Sequence, residues 1–64
     1  MKEKEIRNLA TKIGKCEIAL QNASDSAEKA RLEQEIVKLS SMVKNFEDMV
    51  AVDEAVQDYI QKNS

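Results

Sequence analysis

Residues 32–50 read LEQEIVKLSSMVKNFEDMV. Within that stretch Leu32, Ile36, Leu39, Val43, Phe46 and Val50 recur at alternating intervals of four and three. An α-helix turns about 100° per residue, so this spacing lines all six along one stripe, the a/d seam of a coiled coil. The pattern predicts a helix from about residue 26 to about residue 50. Between the apolar positions lie Lys29 with Glu33, Arg31 with Glu35 and Lys44 with Asp48, each four residues apart. Such pairs mark a solvated outer face and contribute about 0.2–0.5 kcal/mol each. Met42 and Met49 flank the seam and are expected to fill the core beside it.

Working toward the N-terminus, Ile6, Leu9, Ile13, Cys16 and Leu20 repeat at three, four, three and four. A first helix from about 2 to about 22 follows. Ala10, Gly14 and Ile18 form a second line beside that seam, and small side chains there let another backbone come close. The first helix is therefore expected to have two neighbours. Between the two seams, residues 21–26 read QNASDS, a concentration of side chains that bond to nearby backbone. A turn is expected over 22–26, with Asp25 as the N-cap of the second helix and Glu28 able to complete a capping box, and with Ser24 or Ser26 as the alternative caps.

Working toward the C-terminus, the seam fails beyond Val50, where its continuation meets Asp53, Glu54 and Gln57. The apolar positions become Val52, Ala55, Val56, Tyr59 and Ile60, rotated by roughly a third of a turn. Two structures satisfy this. Either the chain bends near Ala51 and Asp53 caps a short third helix over about 51–61, or one long helix continues and its apolar end meets another molecule. The fold class is all-α in both cases: one helical domain over 1–64, an antiparallel hairpin with coiled-coil-like seams. A lone hairpin has a single buried interface, so a homodimeric four-helix bundle is expected, with a three-helix monomer as the competitor. The packing or interface residues are Ile6, Leu9, Ile13, Cys16, Leu20, Leu32, Ile36, Leu39, Val43, Phe46, Val50, Val52, Val56, Tyr59 and Ile60.

The residue inventory restricts the chemistry. The chain has 64 residues, one glycine (Gly14), no proline, one cysteine and no histidine. A domain this small buries only about 60% of the surface its unfolded chain exposes, which makes a partner or a third packed element valuable. Without histidine there is no Ser-His-Asp arrangement and no ordinary zinc set, and a single glycine cannot build a phosphate-cradling loop. The sequence reading is accordingly noncatalytic, with no cofactor and no metal. Cys16 lies on the first seam and reads as a packing residue. A lone cysteine fits a reducing compartment, and the reading expects a cytoplasmic protein. No run approaches the ~20 apolar residues of a membrane span, so no membrane partner is expected.

Net charge is −2, unevenly spread. Residues 1–15 hold five basic residues against two acids, and Lys4, Lys12 and Lys15 share a face of the first helix. That face suits phosphate or an acidic partner. The function expected from sequence is a protein–protein interaction module, an adaptor, a regulator or a subunit of a helical assembly, docking through apolar helix faces onto itself or another protein. The alternative is a small dimeric nucleic-acid-binding regulator that uses the basic face.

Overall fold

The computed structural model describes residues 1–63. It contains three α-helices: α1 over Glu3–Asn22, α2 over Ser26–Ser40 and α3 over Phe46–Asn63. There is no strand among the described residues. At the start of α1 the Glu5 carboxylate accepts from the Lys2 backbone N–H at 3.0 Å, satisfying one of the donors that a helix N-terminus leaves open. The turn between α1 and α2 is short, and Asp25 caps α2 by accepting from the Ala27 N–H at 3.2 Å.

The second helix is where sequence periodicity and structure part. The seam predicts a helix to about 50, but α2 stops at Ser40 and a five-residue connection follows before Phe46. At the stop, the Ser41 hydroxyl donates to the Lys38 carbonyl at 2.7 Å. The Met42 and Val43 amides then donate three residues back, to Leu39 and Ser40, which tightens and ends the turn. Asn45 restarts the chain. Its Oδ1 accepts from the Asp48 N–H at 2.9 Å while its Nδ2 donates to the Asp48 carboxylate at 3.1 Å, a reciprocal cap on the first turn of α3. The expected bend near Ala51 with Asp53 as its cap is thus displaced: the break is at 41–45, the cap is Asn45, and Asp53 lies within α3.

The core is formed by Leu9, Ala10 and Ile13 of α1 against Val52 and Val56 of α3. Fully burying a residue of the Leu, Ile or Val type is worth about 1.5–3 kcal/mol. No polar side chain is buried among the described residues. Ile6, Ile36, Leu39, Val43, Ala55 and Ile60 pack around the edge of this cluster, and α2 contributes no fully buried residue. The second line on α1 meets α3, since Ala10 and Gly14 are buried and the Tyr59 ring lies against Gly14. The Met1 ammonium pairs with Asp48 at 2.9 Å, while further along the chain Gly14 meets Tyr59. The first contact joins the N-terminal ends of the two helices and the second joins later positions on each, so α1 and α3 run parallel. The chain goes up, down and up, with α1 touching both other helices while α2 and α3 barely touch each other.

Candidate functional site

Because α2 and α3 both lean on α1 and hardly on one another, a trough opens between them, floored by the buried Ile13 of α1 and Val52 and Val56 of α3. It is an open groove of about 490 Å³. Ile13 and Glu17 come from α1, Ile36 and Ser40 from α2, and Val43 from the connection; α3 supplies Phe46, Met49, Val50, Val52, Asp53 and Val56. The floor is therefore core residue and the walls are spare seam. Phe46, Met49, Val50 and Asp53 fall at i, i+3, i+4 and i+7 on α3, one stripe of that helix.

Seam residues in this stripe do not pack as the sequence reading expects. Phe46 is 76% exposed, Met49 54% and Val50 40%. Ending α2 at Ser40 removes the helical continuity that would have carried them onto α1, and the core positions of α3 are taken by Val52 and Val56 instead. Met42, read as core filling, is also largely exposed, as is Val37 on α2. By contrast Leu9 and Ile13 are buried, and Ile6, Cys16, Leu20, Leu32, Ile36, Leu39, Val43, Tyr59 and Ile60 are half-buried. A folded monomer of this mass exposes about 4,100 Å² on average. This chain exposes 4854 Å², an excess of about 700 Å².

The electrostatics of the groove are one-sided. Glu17, half-buried, and Asp53, exposed, stand among its lining, and no basic side chain does. The expected outer-face pairs of α2 are not closed. Among the described residues the ion pairs are Arg7 with Glu3 at 3.0 Å, largely solvent-exposed, and Met1 with Asp48. Lys44, paired with Asp48 in the sequence reading, lies in the connection. Lys4, Lys12 and Lys15 are exposed on α1. Cys16 is half-buried, and its thiol pKa is pushed above the ordinary value by burial, then by the carboxylates of Glu35 and Glu17. Such a thiol is held in its protonated, weakly nucleophilic form.

Among the described residues no three His, Cys, Asp or Glu side chains gather as metal ligands, and no helix is long and apolar enough to cross a membrane. Sequence reasoning found the stripe residues Phe46 and Val50 but not the trough. The Ser40-Ser41 pair and the Asn45-x-x-Asp48 cap were the signals that separated α2 from α3. Compared with protein-family models, with curated proteins and with solved structures, the chain matches none.

Proposed function

We propose that this protein is a noncatalytic interaction module that receives a protein partner in the groove between α2 and α3. The observation that carries the reading is the exposed stripe of Phe46, Met49 and Val50 standing over the apolar floor formed by Ile13, Val52 and Val56. Large apolar side chains gathered along a concave surface gain free energy when a partner displaces the water there, and a third or fourth helix is the shape that fills a trough between two helices. A dimeric four-helix arrangement would draw on the same surface, where Phe46, Met49 and Val50 are exposed together on α3.

The test is recovery of the tagged chain from its own cells, followed by identification of what remains bound. Phe46→Asp with Met49→Asp should release the bound protein without lowering the melting temperature, since both residues face solvent. Lys4→Ala, Lys12→Ala and Lys15→Ala together should leave it bound. The opposite pattern, with nuclease-sensitive nucleic acid released by the lysine variants, would establish a phosphate-binding regulator in its place.

A further inference from the structure

We infer that the occupant of the groove is a basic amphipathic helix of a partner protein, about three turns long, with Lys or Arg flanking its apolar stripe. The inference rests on the docking reading above and goes on to specify the chemistry of the partner. Length comes from α3: the lining runs from Phe46 to Val56, which at about 1.5 Å per residue is about 15 Å of helix. Sign comes from Glu17 and Asp53. They stand in the lining with no base beside them, so an incoming apolar helix keeps those carboxylates favourably placed only if it offers cations at the rim.

A second copy of the chain fits less well. Its spare apolar stripe lies on α3, and that helix carries Glu47, Asp48, Asp53, Glu54 and Asp58 against the single base Lys62. Docking α3 into the groove of another copy would bring acid toward Glu17 and Asp53. The early basic residues belong to α1, whose apolar face is already covered by α3 and α2.

The full chain is titrated into two fluorescently labelled peptides of about 12 residues, enough for just over three turns. Both carry leucine at helix positions i, i+3, i+4 and i+7; lysine fills the remaining positions in one and glutamate in the other. Anisotropy should give about tenfold tighter binding of the lysine peptide, the sum of two modest rim attractions turned to repulsions. Amide shifts should move at Ile13, Val43 and Val50. Glu17→Lys with Asp53→Lys should reverse the preference, and Glu17→Gln with Asp53→Asn should erase it. Glu54→Lys with Asp58→Lys, an equal change in net charge away from the groove, should leave the preference in place. Equal binding of the two peptides, binding of neither, or an unchanged preference in the Glu17 and Asp53 variants would overturn the inference. So would a solution mass of twice 7.2 kDa with groove amides unmoved by either peptide, since a second copy would then fill the site. If Phe46→Asp with Met49→Asp releases the cellular partner while the peptides show no charge preference, the groove remains a docking site and only its basic occupant is lost.

Discussion

The ring of Tyr59 stands where a β-carbon on residue 14 would have to go. A side chain there would overlap the ring edge, with two further ring atoms at 3.1 and 3.2 Å. Glycine in a helix interior costs about 1 kcal/mol relative to alanine, so Gly14 exchanges local helix preference for closer contact between α1 and α3. Gly14→Ala is expected to lower the thermal midpoint, because the ring must move and overpacking typically costs about 1–3 kcal/mol. In a Tyr59→Ala background the same substitution should instead stabilise by about 1 kcal/mol. A double-mutant cycle by circular dichroism melting reads this change of sign.

Two residues on the sequence-level seams should behave very differently. Leu9 lies in the core at 5% exposure, and Leu9→Ala should cost about 2–4 kcal/mol. Phe46, the larger side chain, points into water, and Phe46→Ala should change stability by less than about 0.5 kcal/mol. In a domain of this size each kcal/mol moves the midpoint by about 4–8 °C. Equal losses in the two variants would mean that Phe46 packs onto α1 in solution.

The start of α3 is set by Asn45, not by Asp53. Asn45→Ala removes the acceptor for the Asp48 amide and should cost about 1 kcal/mol. Asp53→Ala, within the helix and exposed, should stay within about 0.5 kcal/mol of the parent. Urea titrations of both variants, compared at constant slope, provide the check.

Cys16 links stability to alkaline pH. Its thiol pKa is raised in the fold, by burial first and by Glu35 and Glu17 second. A raised folded pKa contributes stability that is fully present below the ordinary thiol pKa and is lost as pH rises through the folded value. The parent should therefore lose more stability than Cys16→Ala as pH rises above the ordinary thiol pKa of about 8.5. Alkylation by iodoacetamide near pH 8 should be slower for the folded chain than for the chain in urea, and faster in Glu35→Gln than in the parent.

The legible parts of the fold are those where one pattern runs through one element. α1 keeps its three-four spacing without interruption, and the small residues Ala10 and Gly14 marked the side where a second helix settles. Asp25 was readable because capping is a local matter of side-chain reach. The break after Ser40 was hidden because Val43 and Phe46 preserve the heptad interval while the backbone between them leaves the helix. Periodicity measures spacing along the chain and is blind to the path taken between the spaced residues. The groove was illegible for another reason. Its existence depends on how far α2 and α3 diverge around α1, which is a packing outcome of the whole molecule. Its residues were visible as apolar stripe, but that they would lack a covering could be seen only once Val52 and Val56 had claimed the α1 face.

The parallel pairing of α1 with α3 also sets the order in which the molecule gathers itself. The α1–α2 hairpin closes across a short turn, the cheap kind of loop closure, whereas α3 must return across the full length of α2 before Val52 and Val56 can reach Leu9 and Ile13. The contact that forms most readily is therefore the one that buries least, and the one that buries most must wait for the most distant segment. The α1–α2 pair alone buries no side chain of α2 fully, so the core that holds the first two helices in place is completed only by the third.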